Sequence, residues 1–262
     1  MNKTVIVTGG ASGIGKSICQ EYANLGWEVL ILDINSIAGK TLKFELSKIS
    51  SATFYYCDLS DFNSIKKTAK KISQKYPSIN SIIHNARAPN NSNSIEENLN
   101  NEIERDFNIF IRSPLLLSQL LFTNLGKSKD AAITFIGSTN SQFISHQPLS
   151  YHVCKGALIQ AVRFLAVSWG DKKIRVNLVN PGIVDAPNKR RNNMKTFSNA
   201  VKAVIPLGRI ALASEVASVC TFLSSSQARY ITGTTINLDG GEHLKDHFSL
   251  AYKIFESNKK QI

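Results

Sequence analysis

The chain has 262 residues, 43% of them hydrophobic, enough to bury a substantial core and to argue against disorder. No run approaches the roughly 20 apolar residues that cross a bilayer; the richest, 114–121, is short and carries Ser118 and Gln119. A net charge of +12 would suit an anionic partner, but the basic residues are scattered as pairs such as Lys66-Lys67 and Lys70-Lys71, so a solvated basic surface is expected rather than a nucleic-acid site.

Residues 1–10 lead directly into a strand and a glycine turn, not into the charged and apolar regions of a secretory leader, so a soluble, cytoplasmic protein without membrane contact is expected. Apolar runs predict strands at 4–8, 28–33, 53–58, 81–84, 132–137, 174–180 and 234–238. Amphipathic patterns between them predict helices at 13–25, 36–49, 62–76, 95–110, 115–125, 151–169 and 214–224. Strands with few polar residues, each followed by a helix, imply a parallel sheet covered on both faces: a doubly wound α/β fold. No linker or internal repeat interrupts the pattern, so residues 1–241 read as one domain. Cys19, Cys57, Cys154 and Cys220 lie far apart with no metal-ligand spacing, which predicts free, buried thiols and no metal. In such a fold the chemistry belongs in the crevice at the carboxyl ends of the strands.

The first strand runs into Thr8-Gly9-Gly10-Ala11-Ser12-Gly13-Ile14-Gly15, which opens a helix. Glycines allow a tight turn and a close backbone approach, and the helix start offers free N–H groups to a pyrophosphate. Asp33 ends the second strand, where its carboxylate can accept from a ribose diol and repel a 2′-phosphate; Ile34 and Asn35 supply no cation for that phosphate. NAD is therefore expected in preference to NADP.

The turn TGGASGIG resembles that of the short-chain dehydrogenase/reductase family. So do Asp58-Leu59 after the third strand, Asn85-Ala86 after the fourth, Ser138, the Tyr151-His-Val-Cys-Lys155 motif, Asn180-Pro181-Gly182, and the closing Leu238-Asp-Gly-Gly241. The resemblance runs from residue 3 to about 241, and Pro206–Arg209 and Phe222–Ser225 are similar to the branch that holds 3-oxoacyl carrier-protein reductases and many sugar and polyol dehydrogenases. It implies a Rossmann-type sheet of seven strands in the order 3-2-1-4-5-6-7. It also implies hydride transfer between a nicotinamide and a carbonyl or alcohol carbon of a small-molecule substrate. Gly9, Ser12, Gly13, Ile14 and Gly15 would then cradle the pyrophosphate, Asp58 and Leu59 flank the adenine, Asn85 and Ala86 line the groove, and Pro181, Gly182, Ile183 and Val184 border the nicotinamide.

The spacing of Tyr151 and Lys155 puts them on one helix face a turn apart. A phenol with an ordinary pKa of about 10 is too weak an acid to act near neutrality, and a neighbouring ammonium favours its phenolate. Such a tyrosine can take the alcohol proton while hydride leaves, or return it in the reverse reaction. Ser138, at the end of the fifth strand, can donate to the substrate oxygen as negative charge develops there. The resemblance adds a ribose contact for Lys155 and a water-holding role for Asn108.

Several positions depart from the family pattern. Arg87 stands where glycine is usual, and is expected either to face solvent or to reach an anionic group on cofactor or substrate. His84 replaces a common asparagine and reads as structural. Ala186 replaces a threonine that often binds the carboxamide. The lid, about 185–205, carries Lys189, Arg190, Arg191 and Lys195, compatible with an anionic substrate. In the extension 242–262, Leu244, Phe248, Tyr252 and Phe255 recur at near-helical spacing, which predicts an amphipathic helix packed on this subunit or a neighbour. The helices at 115–125 and 151–169 are apolar on more than one face, and relatives associate through the equivalent helices, so a homodimer or homotetramer is expected. A catalytically weak NAD-binding regulator of the same fold is the alternative.

Overall fold

The computed structural model describes residues 3–88, 95–185, 201, 204–246, 248–249, 251–252 and 255. Nine strands are described: β1 (Thr4–Thr8), β2 (Glu28–Asp33), β3 (Ala52–Tyr56), β4 (Ser81–His84), β5 (Ala131–Ile136), β6 (Ile174–Pro181), the two-residue β7 (Val184–Asp185) and β8 (Ala211–Leu212), and β9 (Thr235–Leu238). Seven form one parallel sheet in the order β3-β2-β1-β4-β5-β6-β9, as expected with β9 as the seventh strand; β7 and β8 pair separately.

Side-chain alternation along these strands builds two cores. Val5 and Val7 of β1 join Val29 and Ile31 of β2 and Ile83 of β4 on one face. Ile6 joins Leu30, Leu32, Ile82, Ile133, Phe135, Val176 and Leu178 on the other. The first face is covered by α1 (Gly13–Asn24), α2 (Ser36–Leu46) and α8 (Ala213–Leu223), through Ile18, Tyr22, Leu42 and Val216. The second is covered by α3 (Phe62–Lys75), α5 (Ser113–Leu120) and α7 (Leu149–Trp169), through Ile65, Ile72, Leu117, Leu158 and Val162. Burial on both faces explains why these strands are near-continuous apolar runs.

Element ends shift by a few residues. The tract expected as one helix over 95–110 is α4 (Ile95–Phe107) followed by a π-helical turn, Asn108–Arg112. The tract expected at 115–125 is α5 and α6 (Phe122–Gly126), divided at Leu121, whose φ of −104° and ψ of 7° leave the helical well. Helix α7 starts two residues early, directly after Pro148, which lacks an N–H to donate into a preceding turn. All four cysteines are free and buried, and burial pushes the Cys154 thiol up to about 11 and that of Cys220 up to about 12. Among the described residues no helix is long and apolar enough to cross a membrane, and no cluster of side chains could hold a metal ion. Leu244, Phe248, Tyr252 and Phe255 are all more than half exposed.

Candidate active site

A cleft of about 630 Å³ opens at the carboxyl ends of the central strands. Its floor is the glycine turn after β1. The Thr8 hydroxyl accepts from the backbone N–H groups of Asn85 (3.0 Å) and Ala86 (3.2 Å), and Asn85 Nδ2 donates to the carbonyls of Thr8 and Gly9, both at 3.1 Å. Asn85 therefore clamps the turn to the end of β4. Gly13 has φ of +53°, a region in which side chains are strained. A Cβ on Gly15 would lie 2.0 Å from the Gly9 carbonyl oxygen, so only glycine lets α1 start this close to β1. Ser12 caps α1 without a side-chain hydrogen bond, which leaves the first-turn N–H groups to a ligand. An uncapped helix start, a wide cleft and a carboxylate at the end of β2 together fit a dinucleotide.

That carboxylate is rigidly held: Asp33 Oδ2 accepts from Ala11 N at 3.0 Å and Oδ1 from Asn35 N at 2.9 Å. Asp58 is turned on its own loop, its Oδ1 accepting from the backbone N–H (2.9 Å) and hydroxyl (2.7 Å) of Ser60. Across the cleft, Pro181 and Gly182 leave β6, with Gly182 N donating to the Leu238 carbonyl at 3.0 Å.

Ser138 follows β5. Its backbone N–H donates to Asn180 Oδ1 (3.1 Å), and its Oγ accepts from Asn140 N (3.2 Å), so the hydroxyl proton is left to donate outward. His152 ties the same loop to α7, with Nδ1 at 3.0 Å from the Asn140 carbonyl and Nε2 accepting from Ser145 N at 3.3 Å. Tyr151 stands edge-on to Phe110, ring centroids 5.6 Å apart. One turn on, Lys155 is buried, donates from Nζ to the Ile136 carbonyl at 2.8 Å, and lies 4.4 Å over the Phe110 ring and 5.5 Å from that of Tyr151. Burial, then the nearby Arg87 charge, pull the lysine down to about 7.

The cleft brings together Gly9, Ser12, Gly13, Ile14, Asp33, Asp58, Leu59, Asn85, Ala86, Ser138, Tyr151, Lys155, Pro181, Gly182 and Val184. Three expected residues do not line it. Gly15 lies behind the turn, where its role is close packing. Ile183 is engaged through its carbonyl, which accepts from Ala211 N at 3.0 Å. Asn108 opens the π-helical turn, and that wider turn presents Ile109 to the cleft instead. Reading the sequence missed Arg105, Ile109 and Ser60 as lining residues. Their types carry no chemical signal, and only the packing of α4 and the β3 loop brings them in.

His84 is structural, as expected: its Nε2 lies 2.7 Å from Ser118 Oγ, its ring packs 4.7 Å from that of Phe135, and burial drives its pKa down to about 3, so it stays neutral. Arg87 does line the cleft. Ala186, Lys189, Arg190, Arg191, Lys195 and most of the expected lid lie outside the described residues.

A parallel seven-stranded sheet, an uncapped glycine turn and a Ser/Tyr/Lys set facing one cleft define a dinucleotide-dependent oxidoreductase of the Rossmann type. A family model described as Enoyl-(Acyl carrier protein) reductase matches residues 9–243. The chain belongs to the short-chain dehydrogenase/reductase family and is a nicotinamide-dependent oxidoreductase acting on CH–OH groups. It is 31% identical over 242 residues to the 3-oxoacyl-(acyl-carrier-protein) reductase FabG of Buchnera aphidicola subsp. Schizaphis graminum, covering 92% of this chain and 98% of that one. The ligand-free aldohexose dehydrogenase AldT of Thermoplasma acidophilum superposes with a TM-score of 0.83 at 25% identity, covering 94% and 96% of the two chains. The L-sorbose reductase of Gluconobacter frateurii, solved with NADPH and L-sorbose, superposes with a TM-score of 0.87 at 20% identity, covering 94% and 98%.

Proposed function

We propose that Tyr151 is the acid/base of this oxidoreductase, with Ser138 donating to the substrate oxygen and Lys155 orienting the cofactor ribose. The single observation that carries the reading is that Tyr151, Lys155 and Ser138 share one cleft with the glycine turn and Asp33. The bound dinucleotide would supply a hydride acceptor or donor. The residues of this chain do the rest: Ser12, Gly13 and Ile14 offer backbone N–H groups to its phosphates, and Asp33 accepts from the adenosine ribose diol. Ser138 stabilises negative charge on the substrate oxygen, while Tyr151 moves one proton to or from that oxygen. Asn108, at the start of the π-helical turn, would hold a water that contacts Lys155.

Asp33 favours NAD over NADP. The cations of the cleft, Arg87, Arg105 and Lys155, belong to the segment after β4 and to α4 and α7, not to the β2 end where a 2′-phosphate would sit. The two tracts of exposed apolar residues on α4 and α7 support a homodimer or homotetramer, and the four free thiols suit a reducing cytoplasm.

An absorbance assay of nicotinamide reduction over sugars, polyols and hydroxy acids, run with NAD and with NADP, tests the reading. Turnover is expected with NAD preferred, and Asp33→Ser should shift the preference towards NADP by about tenfold or more. Wild-type preference for NADP, unchanged by Asp33→Ser, would contradict the cofactor assignment.

A further inference from the structure

Arg87 reaches across the cleft. It follows β4, yet its guanidinium carbon lies 5.8 Å from the centroid of the Tyr151 ring, and its Nη2 is 3.5 Å from Gln147 Oε1 on the loop that leads into α7. The side chain is itself exposed, so an anion entering the cleft from solvent can reach it.

Among the described residues no carboxylate pairs with Arg87. The other arginine of the cleft, Arg105, is spent on Asp106 at 2.8 and 2.9 Å, and Asp106 accepts from Ser150 Oγ as well. The carboxylates of the cleft, Asp33 and Asp58, are fixed by their own loops at the opposite end. Among the described residues no ion pair includes Arg87, and the second cation at this end is Lys155. Arg87 stands beside the reacting tyrosine with no carboxylate paired to it among the described residues, an arrangement that suits an anion from outside.

We propose that Arg87 is the anion-recognition residue of the substrate subsite, holding the carboxylate of a short oxo or hydroxy acid beside Tyr151. The assignment rests on the reading of Tyr151 as the acid/base. A guanidinium offers a planar fork that matches a carboxylate, at about 2.8 Å per charge-assisted hydrogen bond. With the phenol ring only 5.8 Å from that fork, the carboxylate and the reacting carbon of one molecule must be separated by a short link. That fits acids whose carboxylate stands one or two carbons from the reacting carbon. In the oxidising direction the carbinol C–H hydrogen would leave with its bonding electron pair, as hydride, for a bound oxidised nicotinamide. The hydroxyl proton would go to the Tyr151 phenolate, a C=O bond would form, and the carboxylate would be unchanged.

The test separates anion binding from turnover. Malonate, which carries no reducible carbon, is titrated calorimetrically into the full chain saturated with NADH. It should bind the wild type, Arg87→Gly should weaken it by about tenfold to a hundredfold, and Arg87→Lys should fall between. NADH affinity should stay within about twofold, as it must if the lost contact is to substrate alone. In turnover, 3-hydroxybutyrate should outperform its methyl ester in the wild type, and Arg87→Gly should remove that preference by slowing the acid only. Malonate binding that is absent from the wild type or indifferent to Arg87→Gly would overturn the proposal. So would a loss that falls on NADH, which puts the guanidinium on the cofactor phosphates, or tighter binding of inorganic phosphate than of malonate. Tyr151→Phe must keep malonate binding; if it also keeps turnover, the acid/base reading falls and the anion site stands.

Discussion

A lysine ammonium in a protein interior is paid for in stability unless it can shed its proton. Lys155 is such a group, pulled down to about 7 by burial and by Arg87, against an ordinary value above 10 in the unfolded chain. Below pH 7 the folded protein carries the full cost of the buried charge. Between 7 and the unfolded value, the folded state binds fewer protons than the unfolded one, so stability contributed by this site rises with pH. Replacement by methionine removes the dependence. The stability of Lys155→Met relative to wild type, from urea unfolding at pH 6, 7.5 and 9, should therefore be most favourable at pH 6 and decline as pH rises. A flat difference would show that Lys155 titrates normally, and one that grows with pH would show that folding raises its pKa instead. The same arrangement makes the site responsive to ligands, because an anion beside Arg87 and Lys155 offsets the charge that depresses the lysine.

At the scale of elements, the join between β1 and α1 is tightly constrained. Its geometry depends on backbone approach, not on side-chain attraction. Gly15→Ala places a methyl 2.0 Å from the Gly9 carbonyl and 2.6 Å from Asn85 Nδ2, so either the turn or the start of α1 must move. The expected cost is about 2 kcal/mol of stability, with loss of dinucleotide affinity by about tenfold or more, since the N–H cradle moves with the turn. Calorimetry with NADH checks it; unchanged affinity would mean the cradle is not what binds phosphate. This join was legible in the sequence because glycine spacing is itself a backbone constraint. So were the sheet and the pairing of Tyr151 with Lys155, since strand and helix periods fix which residues share a face. The π-helical turn at Asn108, the entry of Ile109 and Arg105 into the cleft, and the direction of Arg87 were not legible. Each depends on how α4 and the segment after β4 pack against α7, and one residue of helical slip changes the answer.

At the scale of the whole molecule, α7 and α4 leave several apolar side chains uncovered. On α7, Val153, Phe164 and Val167 are 55%, 71% and 86% exposed, and Ile103 and Phe107 of the neighbouring α4 add to the same tract. Phe164 and Val167 are one turn apart, so they present one face. Single exposed apolar side chains are ordinary, but a set of this kind on neighbouring helices is what a subunit interface would cover. The wild type is expected to run as a dimer or tetramer in light scattering, and Phe164→Glu with Val167→Glu should reduce the mass by half. A monomeric wild type would contradict the assembly. Most of the net charge of +12 is spread over the sequence as pairs and singles.

The central claim is that one phenol moves the proton in the reaction. Tyr151→Phe removes a single oxygen and leaves the edge-on packing against Phe110 in place. With the preferred substrate and saturating cofactor, kcat should fall by about a hundredfold to ten-thousandfold, while the Kd for NADH, measured by fluorescence on the same preparation, stays within about twofold of wild type. A variant that keeps wild-type kcat would contradict the account.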